Sequence, residues 1–257
     1  MTRTITSYAM TLLLLLGSAG RLPAQEKREI ELTAQEILAR VDRVLDYPGG
    51  LIRGRMMHIS PDGTSSVINL KAMVSGGDWL FVFSNRERGD QLKVLYNLGG
   101  EDIWVYNIHA LKLFHKMNID KYDAVLGTNF SFIDLSNADY QSNYTASITG
   151  SAVIKGQDCY RLRLEPIFRG GLYGQLTLYA AKKDQVPLRV DFHDTDRAIF
   201  KSISIARTME KGNRIVPVRF DMLDIRKGTV TILEFFGFDE SAVFRKEVFL
   251  PQQLGNQ

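Results

Sequence analysis

The residues that most often carry out chemistry in proteins are few and dispersed in this sequence. The four histidines are His58, His109, His115 and His193, and the one cysteine is Cys159. The sequence contains no Gly-x-Ser-x-Gly nucleophile elbow, no phosphate-binding glycine loop and no His-Glu-x-x-His zinc motif. Cys159 has no second cysteine to pair with and begins a predicted strand, so we expect a buried, unreactive thiol. The sequence therefore predicts a protein that is not an enzyme and that uses no cofactor.

His193 lies in an acidic run, Asp191-Phe192-His193-Asp194-Thr195-Asp196. An imidazole and carboxylates could together bind a metal ion. The run follows an alternating apolar pattern and contains turn-forming residues, which favours a different interpretation, namely a strand that ends in an acidic hairpin turn. We therefore predict no metal site.

The first 24 residues have the order of a secretory signal peptide. Arg3 supplies a positive charge, residues 8–16 form a short apolar run, and small residues follow up to Ala19 and again at Ala24. The apolar run is shorter than the roughly 20 residues that a membrane-spanning helix needs. We expect export to the periplasm, with cleavage after Ala24 or Ala19, and one domain over residues 25–257. The signal is not followed by a cysteine, so the mature protein should be soluble and not lipidated.

Charge and composition exclude one class of partner. The formal net charge is +3, and 24% of the residues are charged. Lys and Arg are mixed with Asp and Glu along the chain, without the basic stripe that nucleic-acid binding requires. We therefore expect no nucleic-acid partner.

The hydrophobic periodicity predicts one helix followed by a long antiparallel sheet. Apolar residues recur at helical spacing over residues 33–45, and Thr33 with Glu36 has the pattern of a capping box. From Leu51 the period becomes two, and short Gly-containing turns separate about a dozen strand candidates, which is typical of an antiparallel meander. The clearest predicted strands are residues 54–60, 66–74, 79–84, 92–98, 103–108, 159–165, 175–181, 188–193, 199–206, 215–225 and 229–238.

Residues 119–139 interrupt this meander. They contain several large apolar residues that do not alternate as a strand would. We expect two short helices, or one helix and a structured loop, that act either as a plug for the core or as a lid over a cavity. The apolar residues in question are Leu126, Phe130, Phe132 and Leu135.

Several predicted strands are apolar on both faces. Trp79, Phe81 and Phe83 share one face of a strand, and Leu80 and Val82 share the other. A single sheet with one wet face should alternate more cleanly. The pattern fits two arrangements, a densely packed core or a sheet that is covered on one side and holds a ligand on the other, and the periodicity leaves both open.

Several stretches, taken in order, resemble the periplasmic outer-membrane lipoprotein-sorting proteins of the LolA-like superfamily. Members of that group carry a phenylalanine strand end before a charged turn, an aromatic Trp-x-Tyr strand and a Gly-Ser-Asp-Phe-Ser-like motif before Asp-Leu. This sequence departs from them at Asn85, at Asn107-Ile108 and at Gly127-Thr128-Asn129, where the family has proline, proline and Gly-Ser-Asp. The similar stretches are residues 83–89, 100–106, 125–135, 159–162, 186–189 and 216–220.

The resemblance implies a mainly β protein with a few helices. Its single curved antiparallel sheet would form an incomplete barrel around an apolar cavity, with an N-terminal helix and a short helical lid. It also implies a periplasmic carrier, expected to be a monomer, that binds a lipid or the acyl chains of a lipoprotein. Such a carrier would receive cargo from an inner-membrane transporter and deliver it to an outer-membrane acceptor. Each buried methylene contributes about 0.8 kcal/mol, so an apolar groove can hold acyl chains without specific polar contacts. The alternative is a periplasmic sensor or assembly partner that binds a protein with the same half-barrel.

Alternation on neighbouring strands gives the expected site residues. The competing model packs the same side chains into a solid core. The lid should consist of Leu126, Phe130, Phe132 and Leu135. The residues expected to line the lipid-binding cavity are Trp79, Phe81, Phe83, Trp104, Tyr106, Leu162, Leu164, Leu176, Leu178 and Phe192.

Overall fold

The computed structural model describes residues 32–47, 49–86, 89–136, 139–168 and 170–256. All of them belong to one compact unit. The predicted signal peptide at residues 1–24 lies outside the described residues. Within the described ranges, no helix combines the length and the apolar character that crossing a membrane would require.

The predicted N-terminal helix is confirmed as α1, Ala34–Leu45. Its capping box is complete, because the Glu36 backbone N–H donates to Thr33 Oγ1 at 3.2 Å and the Thr33 backbone N–H donates to Glu36 Oε2 at 2.8 Å. These bonds satisfy donors that a helix start leaves without intrahelical partners. Ile37, Leu38 and Val41 form the buried face of the helix, which packs into the main core.

In the described part of the chain, thirteen strands form one antiparallel sheet, as the meander pattern predicts. Their order in the sheet is β6-β5-β4-β3-β2-β1-β13-β12-β11-β10-β9-β8-β7, so the edge strands β6 and β7 do not pair and the barrel stays open. The strands are β1 Gly50–Ile59, β2 Ser65–Ser75, β3 Asp78–Asn85, β4 Gly89–Asn97, β5 Asp102–Asn107, β6 Lys112–Lys116, β7 Tyr144–Ile154, β8 Gln157–Pro166, β9 Gln175–Ala181, β10 Pro187–His193, β11 Ile199–Lys211, β12 Arg214–Asp224 and β13 Thr229–Asp239.

The two edge strands are the ones that the sequence pattern does not predict. Most residues of β6 are exposed, and β7 is exposed or half-buried throughout. An edge strand with no fully buried face has no reason to alternate between apolar and polar residues, so its periodicity gives no signal.

Strand register places the main core on one face of the sheet. Phe81 lies opposite Ala72, and Ala72 lies opposite Ile52. On the other half of the sheet, Val190 lies opposite both Ile203 and Leu178. Directly paired residues share a face, so these side chains lie on one concave surface, called here the inner face. The helix α1 packs against the buried side chains of the inner face.

The outer face of β3–β5 carries a second, smaller core, called here the outer core. Leu80 and Leu95 pack there with Phe249 and Leu254 from the C-terminal residues. Lys93 Nζ donates a 2.8 Å hydrogen bond to the Leu254 carbonyl. The C-terminal residues therefore cover an apolar patch that the sheet would otherwise expose.

Candidate functional site

A mostly irregular segment connects the two edge strands and lies against the inner face. This lid segment, residues 117–136 and 139–143, contains three 3-10 turns, Asn118–Tyr122, Val125–Gly127 and Ile133–Leu135, and a single turn of α-helix, α2, Tyr140–Asn143. Short 3-10 turns contain few backbone hydrogen bonds, and the geometry of those bonds is poorer than in an α-helix. The segment is held mainly by the side-chain attachments described below.

The first attachment is the side chain of Asn129, which is buried against β12 and β13. Asn129 Nδ2 donates to the carbonyl oxygens of Met222 and Thr229 at 3.0 and 2.8 Å. Its Oδ1 accepts from Thr229 Oγ1 at 2.7 Å, and its backbone N–H donates to Thr231 Oγ1 at 2.9 Å. Both amide protons and the amide oxygen are used, which only a carboxamide can do.

The second attachment is a buried ionic network at the Ile133–Leu135 turn. Asp134 forms an ion pair with Lys201 of β11, and their side chains are 3% and 7% exposed. Tyr173 Oη donates to Asp134 Oδ1 at 2.7 Å and accepts from Lys201 Nζ at 2.9 Å. Ser131 Oγ donates to Asp134 Oδ2 at 2.6 Å. Burial, followed by the charge of Asp134, holds the pKa of Tyr173 well above its usual range, so its hydroxyl remains a donor.

The third attachment joins α2 to α1. The Asp42 carboxylate accepts hydrogen bonds from the backbone N–H groups of Tyr140 and Gln141, at 3.0 and 2.9 Å. Burial raises the pKa of Asp42 to about 6, although these two hydrogen bonds act in the opposite direction. The three attachments bind the lid segment to β11, β12 and β13 of the sheet and to α1.

An apolar cavity of about 120 Å³, called here the inner cavity, lies between α1, the lid segment and the inner face. Apart from Asp134, Ser136 and two tyrosines, its walls are aliphatic, aromatic or proline side chains. An apolar cavity of similar size, about 150 Å³, can hold a benzene-sized ligand. The lining residues are Leu45, Tyr47, Trp79, Phe81, Phe130, Asp134, Leu135, Ser136, Tyr140, Pro187, Val190, Ile203, Ile205, Phe220, Leu233 and Phe235.

A second cavity of about 320 Å³ lies on the other side of Ser136 and Tyr140. It is called here the tyrosine cavity, because four tyrosines line it together with apolar and charged side chains. Its lining residues are Lys121, Tyr122, Ile133, Asp134, Ser136, Asp139, Tyr140, Asn143, Tyr144, Pro166, Phe168, Tyr173, Leu176, Phe192, Ile203 and Met222.

Most of the predicted cavity residues share the inner face but not one cavity. Eight of the ten, all except Trp104 and Tyr106, are buried in the main core. Trp79 and Phe81 line the inner cavity, and Leu176 and Phe192 line the tyrosine cavity. The four that are buried in the core and line neither cavity are Phe83, Leu162, Leu164 and Leu178.

The prediction that Trp104 and Tyr106 line the same cavity is wrong. Trp104 lies opposite Leu95 and Tyr106 lies opposite Lys93, and these residues are on the outer face. Both aromatic side chains pack against the second core beneath the C-terminal residues. Alternation correctly shows that Trp104 and Tyr106 share a face, but only the register between β4 and β5 decides which face it is.

The four predicted lid residues all lie in the lid segment, with different roles. Phe130 and Leu135 line the inner cavity. Phe132 is buried, and its carbonyl accepts a 3.0 Å hydrogen bond from Tyr96 Oη on β4. Leu126 is half-buried and packs at the edge of the main core.

Much of the inner cavity wall comes from residues that the sequence reasoning does not single out. Tyr47 follows α1, and its ring packs edge-on against Trp79 with 5.6 Å between centroids. Ile205, Phe220 and Phe235 come from β11, β12 and β13. Their alternation is visible in the sequence, but nothing local indicates that these late strands meet β3 across the open barrel.

His193 and Cys159 have ordinary structural surroundings. His193 Nε2 lies 2.9 Å from Thr177 Oγ1, and His193 Nδ1 lies 3.1 Å from the Arg197 carbonyl oxygen. Cys159 is buried, and burial raises the pKa of its thiol. Among the residues that the structure describes, no group of three or more His, Cys, Asp or Glu side chains could hold a metal ion.

Solved structures of other proteins share this fold over most of both chains. An outer membrane lipoprotein-sorting protein domain from Vibrio parahaemolyticus matches with a TM-score of 0.75 and 19% identity, covering 86% of this chain and 98% of that one. A DUF1329 family protein from Desulfovibrio piger matches at 0.73 and 19%, covering 86% and 97%. A LolA superfamily protein from Nitrosomonas europaea matches at 0.72 and 19%, covering 87% and 100%. The predicted LolA-like fold is therefore confirmed.

Sequence comparison adds one family. The model of a DUF1329-like family, described as uncharacterized proteins, matches residues 78–256. No curated protein is detectably similar in sequence.

Proposed function

Since the chain belongs to the DUF1329-like family and has a LolA-like fold, we propose that it is a periplasmic carrier of acyl chains. The chains belong to a lipid or a lipoprotein, and they bind between the lid segment and the inner face. The carrier takes its cargo from an inner-membrane donor and delivers it toward the outer membrane. The Vibrio neighbour, which is named for lipoprotein sorting, supports this direction of transport.

One observation carries the proposal. The inner cavity lies where α1, the lid segment and the inner face meet, and its wall is almost wholly apolar. Such a wall favours a ligand made of methylene groups, each of which contributes about 0.8 kcal/mol when it leaves water. Three of the four polar side chains at the wall are engaged with the protein. Tyr47 Oη donates to the Pro217 carbonyl, Ser136 Oγ donates to the Ile133 carbonyl, and Asp134 is paired with Lys201.

Loading requires the lid segment to move. The inner cavity, about 120 Å³, is smaller than the roughly 300–1,000 Å³ of typical ligand pockets, so it holds only part of a long acyl chain. The lid segment pairs with no strand of the sheet; its one β-bridge is internal, between Ala124 and Ser131. A segment held by a few side-chain attachments can open without unfolding the sheet.

A fluorescent long-chain acyl probe tests the proposal when two matched valine variants are compared. Val190 lines the inner cavity, whereas Val82 is buried on the outer face of β3. Val190→Phe fills the cavity and should weaken probe binding at least about tenfold, which corresponds to about 1.4 kcal/mol. Val82→Phe inserts the same ring on the opposite face and should leave probe binding unchanged.

The result has a clear contrary outcome. Wild-type protein that binds no acyl probe, or a folded Val190→Phe protein that binds it as wild type does, would contradict the proposal. Ile205→Phe, at a second position on the cavity wall, provides the same test if Val190→Phe does not fold.

The periplasmic part of the proposal has its own test. N-terminal sequencing of the exported protein should give Gln25 as the first residue, or Gly20 if cleavage follows Ala19. Its mass should show no attached lipid. Retention of Met1, or a mass increase equal to an acyl group, would contradict this part of the proposal.

A further inference from the structure

We propose that the tyrosine cavity is the headgroup site of this carrier, and that it selects lipids whose headgroup is uncharged and rich in ester or hydroxyl oxygens. A diacylglycerol is the simplest member of that class. The inference rests on the proposed function, because it assigns the headgroup of the same ligand whose chains enter the inner cavity.

The cavity presents hydroxyl donors that nothing else uses. Tyr122, Tyr140 and Tyr144 line it, and their hydroxyls have no hydrogen-bond partner among the described residues. Within the described part of the chain, every side-chain nitrogen or oxygen that is inaccessible to solvent has a hydrogen-bond partner. These three hydroxyls have none, so each is at least partly accessible to solvent. Burial raises the pKa of each of the three, so all remain protonated. Three neutral donors suit a ligand with several acceptor oxygens.

The charges around the cavity balance. Asp134 is neutralised by Lys201 in the ion pair already described. Lys121 and Asp139 supply one charge of each sign among the remaining described lining residues. Lys121 Nζ also donates to the Glu101 carbonyl, and Asp139 Oδ1 accepts from the Ser142 backbone N–H at 3.1 Å. A cavity without a net charge has no preference for a phosphate over a neutral group, and burying a phosphate there would be costly.

The two cavities are placed to hold one amphiphile. They share Asp134, Ser136, Tyr140 and Ile203, so their walls are continuous. The floor of the tyrosine cavity is apolar, at Leu176, Phe192, Ile203 and Met222. A ligand with its oxygens at the tyrosine hydroxyls can therefore extend an acyl chain past Ile203 toward the inner cavity. The tyrosine cavity, at about 320 Å³, also reaches the size range of small-molecule sites.

Competition against the fluorescent acyl probe tests this selectivity. The competitors are dioctanoylglycerol, dioctanoyl phosphatidylglycerol and a linear alkane, which offer a neutral, an anionic and no headgroup. Wild-type protein should bind dioctanoylglycerol at least about tenfold more tightly than either of the others. The double variant Tyr140→Phe, Tyr144→Phe keeps both rings and removes two donors. It should lose about tenfold in affinity for dioctanoylglycerol and keep its affinity for the alkane.

Tyr179→Phe is the matched control, because Tyr179 is a half-buried tyrosine on β9 that lines neither cavity. It should bind all three competitors as wild type does. Equal affinity for the neutral and anionic lipids, or an unchanged affinity of the double variant for dioctanoylglycerol, would overturn the headgroup assignment while leaving alkane binding, and thus the carrier proposal, intact. Failure of every competitor and of the probe itself would overturn the carrier proposal. If the double variant does not fold, Tyr144→Phe alone provides the same comparison.

Discussion

Asn129 of the lid segment and Thr229 of β13 are joined by two reciprocal hydrogen bonds. Asn129 Nδ2 donates to the Thr229 carbonyl at 2.8 Å, while Thr229 Oγ1 donates to Asn129 Oδ1 at 2.7 Å. This reciprocal pair fixes the lid segment to β13, the strand that closes the middle of the sheet against β1. LolA-like proteins have aspartate in the corresponding motif, and here a carboxamide provides the two donors that the neighbouring carbonyls require.

Asn129→Asp should therefore loosen the lid at neutral pH. A carboxylate would face the Met222 and Thr229 carbonyls without a proton to donate, and an unsatisfied buried group costs about 1–3 kcal/mol. The loss should shrink at acid pH, where a protonated carboxyl can donate again. Chemical denaturation at pH 7 and pH 4 measures it. Asn69→Asp makes the same change on an exposed strand face and should cost little; equal losses in both variants would contradict the role assigned to Asn129.

Lys201→Met should destabilise the protein by about 3–5 kcal/mol, because it leaves the Asp134 carboxylate buried without its cation. Adding Asp134→Asn removes the orphaned charge, so the double variant should recover part of the loss. A double-mutant cycle from equilibrium unfolding gives the coupling between the two residues. Additive effects would show that the pair does not act as a unit.

The stability of the protein should contain a pH-dependent contribution from Asp42. The pKa of Asp42 is about 6 in the folded protein against 3.8 ordinarily, so the folded state binds the proton more tightly. The free energy of unfolding should therefore fall as the pH rises through this window, and the penalty is complete above pH 6. The difference in stability between wild type and Asp42→Asn, followed from pH 4 to pH 7, isolates this contribution. A stability difference between the two proteins that does not vary with pH would contradict the raised pKa of Asp42.

Phe81 and Leu80 are adjacent on β3, and their side chains lie on opposite faces of the sheet. Phe81 stacks between Trp79 and Phe83, with centroids 5.5 and 5.8 Å away, and Phe81→Ala should cost about 3–5 kcal/mol. It should also enlarge the inner cavity and change the affinity for an acyl probe. Leu80 is fully buried in the outer core. Leu80→Ala should lower the free energy of unfolding by about 2–5 kcal/mol and leave probe binding unchanged. Equal changes in probe affinity would show that the probe does not distinguish the faces.

The sequence predicts elements whose signal is local. The Thr33–Glu36 capping box and the alternation of Trp79, Phe81 and Phe83 each lie within a few residues, and both predictions agree with the structure. The strands β6 and β7 are not predicted, because they are edge strands without a buried face and so carry no apolar alternation.

Features that depend on distant pairing could not be predicted in the same way. The face occupied by Trp104 depends on the register of β4 against β5 and on the C-terminal residues, which lie far along the chain. The partners of Asn129 are about a hundred residues away, so the sequence shows a lost charge where the structure shows a hydrogen-bonded attachment.

Photo-crosslinking tests most directly whether acyl chains lie between the lid segment and the inner face. A fatty acid with a photoreactive group at the end of its chain is bound, irradiated and located by peptide mass spectrometry. We expect adducts on inner-cavity residues such as Trp79, Phe81 and Phe235, and none on Trp104 or Phe249 of the outer core. Adducts confined to the outer core, or no saturable adduct at all, would contradict the carrier proposal.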